Sequence, residues 1–428
     1  MEYEKVIRNW KEFEFPDLTE RKILLNLDHD MITTITGPRR AGKTFLCFQK
    51  IKELIKNGIS KENILYINFE DDKLLNADSN DLENLLETFL ENSNPNKKQK
   101  IFLFLDEIQV VKNWDSWTRR IYDTKKELKL ILTGSSSKML SREISTKLRG
   151  RIYNIEVFPL SFKEYLFWKN KNLKIKSILQ NGKDSIPAKK YFKKYLVDGG
   201  YPSTLINPKI KNDILQSYYD SMIFKDVVER YKILNIKKLQ ILAKLIFEST
   251  SKEISYNNLS NKLKSLGFSM GKSTIIEYIS YFEEAYLFFQ VLKYEYSLQK
   301  QLGSIKKVYC IDNGLLNSVS FSFSENHGKL LENLVFLELK KDKKEIYYNR
   351  DNFECDFIIK EKNKITKAFQ VCYELNDENM EREVNGLTEA MKKFNLKEGT
   401  IITYDNQEEI IKDNLKIKVI PAWKWMLE

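Results

Sequence analysis

Histidine is almost missing from this chain, with two residues in 428. His29 stands between Asp28 and Asp30 in a polar turn with no second histidine beside it, so it reads as a solvated loop residue and not as a metal ligand. Cysteine is sparse too. Cys47, Cys310, Cys355 and Cys372 have no paired metal-ligand spacing, which suggests a reducing compartment. No apolar run approaches membrane-spanning length, and the opening MEYEKVIRNWKEFEF has neither a basic n-region nor an apolar h-region. The expectation is a cytoplasmic protein with no membrane partner. Acidic residues fall short of basic ones, 60 against 71, leaving a formal charge of +11. That surplus favours an anionic partner, nucleic acid first; the competing explanation is lysine spread evenly over solvated faces. With 42% hydrophobic and 31% charged residues the chain is ordinary globular material, long enough for roughly two to four domains.

The most specific stretch is Ile32 to Phe48, ITTITGPRRAGKTFLCF. Gly37, Pro38, Arg39, Arg40, Ala41, Gly42, Lys43 and Thr44 fill the phosphate-loop pattern G-x-x-x-x-G-K-[ST], after a β-branched run and before an apolar helix-like stretch. The glycines let backbone N–H groups turn toward phosphate oxygens, and the helix beginning near Lys43 adds its positive end. Lys43 is placed to reach the β- and γ-phosphates of ATP, and the Thr44 hydroxyl to take a position on Mg²⁺.

A second element completes such a site. Ile101 to Leu105 is a continuous apolar run that ends in Asp106 and Glu107, as expected of a buried parallel strand opening on a ligand crevice. Asp106 is assigned with Thr44 to the Mg²⁺ shell and Glu107 to the attacking water. Another strand, Leu128 to Thr133, runs into Gly134 and Ser135, where Thr133 and Ser135 are candidate sensors of the γ-phosphate. Strand-like Asn63 to Phe69 ends in Glu70, Asp71 and Asp72. Strands alternating with helical periodicity predict a parallel α/β sheet. Arg149 and Arg151 are either fingers presented to a neighbouring subunit's γ-phosphate or surface, ion-paired arginines.

Thr133-Gly134-Ser135-Ser136-Ser137, Leu148-Arg149-Gly150-Arg151 and Phe158-Pro159-Leu160-Ser161-Phe162-Lys163-Glu164-Tyr165, with the phosphate loop and Asp106-Glu107, resemble archaeal and bacterial AAA-type (AAA+ superfamily) ATPases of the AAA_14/DUF4143 architecture. The resemblance continues through Asp198-Gly199-Gly200-Tyr201-Pro202 and Lys225 to Arg230, and resumes near Leu330-Leu331-Glu332-Asn333. It implies an AAA-like P-loop core at 1–160 and a helical lid at 161–235. Within that lid Arg230 is either a nucleotide sensor or a partner of Asp226 or Glu229 on a helix surface. Gly199-Gly200 reads as a tight turn between lid helices.

Residues 236–300 follow the order helix, short helix, turn, helix, strand, that of a winged helix-turn-helix, with Lys262, Lys264, Lys272 and Lys293 placed to meet phosphates. Residues 301–428 resemble the PD-(D/E)xK nuclease fold, a smaller α/β domain in which a helix Glu, a strand Asp and an (E/Q)-x-K strand bind metal and activate water. Glu332, Asp356 and Gln370 fall on that pattern, but Cys372 stands where the lysine belongs and brings no positive charge. The expectation is a degenerate nuclease-like fold used for binding or assembly.

Three functional classes emerge. One is a Mg-dependent ATPase, possibly a homo-oligomeric ring, that remodels or moves along duplex or branched DNA such as Holliday junctions. The second is a regulatory ATPase whose nucleotide state switches a protein-binding surface. A metal-dependent nuclease is the third and weakest.

Overall fold

In the N-terminal part four of the five strands are short runs of mostly apolar residues, nearly all buried, the signature of a sheet covered on both faces, while the fifth, Ile152–Glu156, is polar and partly exposed. The computed structural model describes residues 2–136, 148, 150–320 and 326–428. They divide into two compact units, one running to Val157 and including Glu284–Tyr286, the other made of Phe158–Glu283 and Leu287–Glu428. The expected lid, winged-helix and nuclease-like segments thus fall, almost entirely, within one unit.

In the first unit α1 (Tyr3–Lys11) leads to β1 (Ile32–Thr36), and α2 (Lys43–Lys56) follows the phosphate loop. The further main elements are β2 (Ile64–Asn68), α3 (Ser79–Ser93), β3 (Ile101–Asp106), α4 (Trp114–Thr124), β4 (Leu128–Gly134) and β5 (Ile152–Glu156). The strands pair in parallel in the order β2-β3-β4-β1-β5. A parallel sheet collects its strands' C-terminal ends on one edge. The register sets Leu105 beside Leu132 and Ile35 beside Thr133, so Asp106, Thr133 and the loop after β1 meet there.

The lead-in is more than a tether. Trp10 on α1 donates its indole N–H to the Ile64 carbonyl at 2.5 Å and packs with Phe13, Phe15 and Tyr66 beside Phe48. His29 is held as well. Lys129 donates to the carbonyls of His29 and Met31, and the His29 ring meets Tyr153 edge-on.

The second unit opens with α5 (Phe162–Lys169), started by a Ser161–Glu164 capping box, then α6 (Ser185–Asp198), α7 (Lys211–Ser221) and a π-helix over Met222–Glu229. α6 ends at Gly199, whose φ is +73°, and the Gly200 N–H donates to Asp312 at 2.7 Å. A Cβ on Gly199 would lie 2.2 Å from the Asp312 carboxylate, so only glycine fits. The expected turn is present, and the residue that fixes it stands over a hundred positions away.

Next come α8 (Ile236–Glu248), β6 (Lys252–Ile254), α9 (Tyr256–Ser265), α10 (Lys272–Glu284), β7 (Phe288–Lys293) and β8 (Lys306–Cys310). The C-terminal elements are α11 (Asn313–Val319), α12 (His327–Lys341), β9 (Glu345–Arg350), β10 (Glu354–Glu361), β11 (Lys364–Val371), α13 (Met380–Lys393), β12 (Glu398–Thr403), β13 (Glu408–Lys412) and β14 (Leu415–Pro421). Among the described residues these strands form a nine-stranded mixed sheet in the order β13-β14-β12-β11-β10-β9-β7-β8-β6. The border expected at residue 300 lies between β7 and β8, which pair antiparallel, and β7 also pairs in parallel with β9. Periodicity along the chain identifies strands but not their partners.

Candidate functional site

The phosphate loop owes its shape to backbone that only some residues tolerate. Gly37 has φ +150° and Gly42 φ +100°, and a Cβ on Gly37 would lie 2.1 Å from the Val157 carbonyl oxygen. Arg40 takes a left-handed φ of 65° between them. Arg39 turns out to an ion pair with Glu70 at 2.7 Å, so one carboxylate at the tip of β2 serves the loop; Asp71 caps the following 3₁₀ turn through the Lys73 N–H.

Lys43, Thr44, Asp106, Glu107 and Thr133 converge at the sheet edge. Lys43 is 4% exposed; its ammonium donates to the carbonyls of Gly37 at 3.1 Å and Pro38 at 3.2 Å and lies 3.5 Å from Glu107. Thr44 donates to Asp106 Oδ2 at 2.7 Å. The Thr133 hydroxyl works in two directions, donating to Asp106 Oδ1 and accepting the Glu107 N–H at 3.0 Å. Ser135 is buried just beyond the end of β4. Glu107 sits at φ 53°, a left-handed conformation that a non-glycine residue keeps only where its surroundings enforce it.

The two carboxylates are tuned apart. Burial, with the neighbouring charge of Glu107, raises the Asp106 pKa against hydrogen bonds from Thr133, Thr44 and Tyr66. Burial pushes Glu107 up as well, but the Lys43 charge and a hydrogen bond from Gln109 at 2.6 Å outweigh it and bring the carboxyl below its ordinary value. For Mg²⁺ the donor set fits, because the Thr44 hydroxyl and an Asp106 carboxylate oxygen are adjacent hard oxygen ligands.

Two participants escaped the sequence reading. Tyr66, in the middle of β2, donates its hydroxyl to Asp106 at 2.8 Å; its only signal was a polar-tipped aromatic inside an aliphatic strand. Arg21 in the lead-in donates to the carbonyl of Ala41 in the phosphate loop at 2.7 Å. Beside it runs a cleft of about 260 Å³, lined by Glu20 to Leu25 and by Leu46, Gln49, Lys50 and Glu53.

The arginines divide. Arg151 pairs with Asp123 of its own chain at 3.1 Å and lies over the Tyr122 ring. Arg149 falls outside the described residues. Arg230 pairs with the fully buried Asp226 at 3.2 Å, an i, i+4 contact that begins on the π-helix.

In the second unit Glu332 and Asp356 come together around a residue the sequence reading did not consider. Lys307 on β8, with 3% of its side chain exposed, places its ammonium 3.0 Å from Glu332, 2.6 Å from Glu354 and 2.8 Å from Asp356. Three donors meet three carboxylates. Burial disfavours the charge on Lys307, yet the surrounding carboxylates raise its pKa well above the ordinary value. Three acids sharing one cation leave Glu332 pushed up to about 7, burial being the main cause. Gln370 does not join them. Its oxygen accepts the Asp356 N–H at 3.2 Å and its amide donates to Glu383 at 2.6 Å, while Asp356 Oδ2 takes the Val371 N–H at 2.9 Å. Cys372 is buried and its thiol pushed up to about 12. The chain therefore does supply a lysine beside Glu332 and Asp356, from a different strand, and it fills the space between them. Among the described residues no group of three or more His, Cys, Asp or Glu is arranged to hold a metal ion.

Residues 29–166 match a family profile described as an AAA domain, and residues 189–326 match a Domain of unknown function (DUF8612), not the DUF4143 domain the motifs suggest. An uncharacterized protein of Methanocaldococcus jannaschii is 38% identical, over 99% of this chain and 94% of its own length. An uncharacterized protein of Haemophilus influenzae is 29% identical, over 92% and 94%. Among solved structures, a Walker-type ATPase of Pyrococcus abyssi aligns over 74% of this chain and 94% of its own, at 13% identity and a TM-score of 0.45. A TM-score this low does not establish a shared overall fold.

Proposed function

Because the chain belongs to the family of the Methanocaldococcus jannaschii protein and carries an AAA-type domain, we propose that it is a Mg-dependent ATPase acting on DNA. One observation carries the nucleotide part. Lys43, Thr44, Asp106, Glu107 and Thr133, drawn from the ends of two parallel strands and the start of one helix, form a single hydrogen-bonded constellation around the phosphate loop.

In this reading the loop's N–H groups, of which Pro38 has none and Ala41 gives its own to the Pro38 carbonyl, act with the Lys43 ammonium to bind the triphosphate. Thr44 and Asp106 hold Mg²⁺, which when bound offsets charge on the phosphate oxygens. Glu107, kept ionised by Lys43, accepts the proton of the attacking water, and Thr133 fixes its backbone. Arg149 is the candidate for a finger supplied to a neighbouring subunit in a homo-oligomer, since Arg151 is engaged by Asp123. Arg230 as a sensor requires release from Asp226.

The DNA part is supported by the +11 charge and by Lys262, Lys264 and Lys272, exposed on α9 and at the start of α10, where the order of helices and strands suits a winged helix. The alternative, a protein-binding switch, is favoured by the Lys307 cluster, which consumes the nuclease-like carboxylates in an internal network. Steady-state ATP hydrolysis alone and with linear duplex, single strand or a four-way junction separates them, with Lys43→Ala as the blank. Stimulation by one DNA form that falls as salt rises supports the first. Flat turnover across all forms supports the switch, and no turnover in any condition overturns the ATPase reading.

A further inference from the structure

A phosphate loop points its N–H groups inward, so its carbonyls face the protein and need donors of their own. For Ala41, wholly buried, that donor is the Arg21 guanidinium, 4% exposed and 2.7 Å away through Nη1. Arg21 is itself fixed by the helix that the loop begins. Its N–H donates to Gln49 Oε1 at 2.8 Å, and its carbonyl accepts from Gln49 Nε2 at 3.0 Å. Gln49 lies on α2, so lead-in, loop and helix close into a short circuit of hydrogen bonds. The guanidinium also backs the turn: a Cβ on Gly42 would lie 3.4 Å from Nη1.

We propose that Arg21 is a positioning residue for nucleotide binding, holding the phosphate loop with its N–H groups aimed at the anion and placing a permanent positive charge behind them. The inference rests on the nucleotide reading above. Arginine suits the position because its rigid planar fork holds a carbonyl acceptor in a fixed direction. Arg21 touches no reacting atom, so its influence belongs to binding and not to turnover.

The test is nucleotide affinity and steady-state kinetics of the full chain, using a fluorescent ATP analogue with Mg²⁺ and then ATP, with thermal unfolding of each variant as the check on folding. Arg21→Met is expected to weaken binding about 10- to 100-fold, the size of one charge-assisted hydrogen bond. KM should rise in parallel while kcat stays within about 3-fold. Arg21→Lys should recover part of the affinity by restoring the charge, a rescue that a purely structural role for the guanidinium would not give. Gln49→Leu, which releases the Arg21 backbone and leaves its charge, should give a smaller loss of the same kind and serves as the test if Arg21→Met does not fold. Wild-type affinity in a folded Arg21→Met, or a fall in kcat at unchanged KM, overturns the inference while leaving the ATPase reading in place. A wild-type chain that binds no ATP overturns both.

Discussion

Replacing Lys307 by methionine keeps the length of the side chain and removes its charge, leaving Glu332, Glu354 and Asp356 facing one another with no cation between them. Breaking a buried ion pair from one side costs about 3–5 kcal/mol, because the partners stay desolvated. With a urea dependence of about 1–3 kcal/mol/M, the second unit's midpoint should fall by roughly 1–5 M at pH 8. The loss must also depend on pH. A buried carboxyl whose folded pKa lies above its unfolded one contributes stability that is complete below the unfolded value and is lost as pH rises through the folded value. Glu332 already stands at about 7 with the ammonium present, and without it Glu332 and Asp356 hold protons to still higher pH. The deficit at pH 8 should therefore shrink markedly at pH 5.5. Adding Glu332→Gln and Asp356→Asn to Lys307→Met should return most of it at pH 8. Hydrogen exchange read by mass spectrometry on peptides from β8, α12 and β10 across urea isolates this unit from the other. A midpoint shift under about 0.3 M at pH 8, or a loss equal at both pH values, would refute the reasoning.

Other perturbations address separate parts. Lys43→Ala should abolish ATP binding in an equilibrium assay, whereas Glu107→Gln should bind ATP and turn it over at least about 100-fold more slowly in single-turnover kinetics; unchanged turnover in both removes the site assignment. Tyr66→Phe takes one donor from Asp106, so Mg²⁺ should be required at higher concentration, as read from the Mg²⁺ dependence of turnover at fixed ATP. Asp312, pushed from 3.8 to about 6 chiefly by burial, makes the second unit lose about 3 kcal/mol as pH rises from 4 through 6. Denaturant titrations should show that slope flattened in Asp312→Asn. Arg149→Ala subunits mixed with Lys43→Ala subunits should regain turnover if the arginine acts across an interface, and no recovery at any ratio counts against it.

What the sequence disclosed depended on how local each piece of chemistry was. Gly37 to Thr44 is eight consecutive positions, and Asp106-Glu107 closes an apolar strand, so both can be read along the chain. Parallel pairing then brings them to one edge through contacts of 62 and 64 positions, Thr44 to Asp106 and Lys43 to Glu107. Arg21, Tyr66 and Lys307 matter through hydrogen bonds that cross from one element to another, and an arginine in a lead-in or a lysine in a strand carries no local mark of it. The nuclease-like reading shows the limit most clearly. Cys372 stands where that pattern has a lysine, yet Lys307 enters from β8, and only the sheet order shows that it fills the centre of the cluster. Gly199 and Gly200 signalled a turn, but the buried carboxylate that demands glycine there is Asp312.

The pairing of β7 with β8 and β9 bears on how this protein can be shortened or recombined. A chain cut at residue 300 would keep β7 while losing the strands on both of its sides. Its free N–H and C=O groups, with the apolar faces of Phe288, Phe289 and Val291, would then be open to the β7 of another fragment. Such fragments should self-associate instead of behaving as an autonomous DNA-binding module. A graft between relatives should therefore succeed only where its junction spares that sheet.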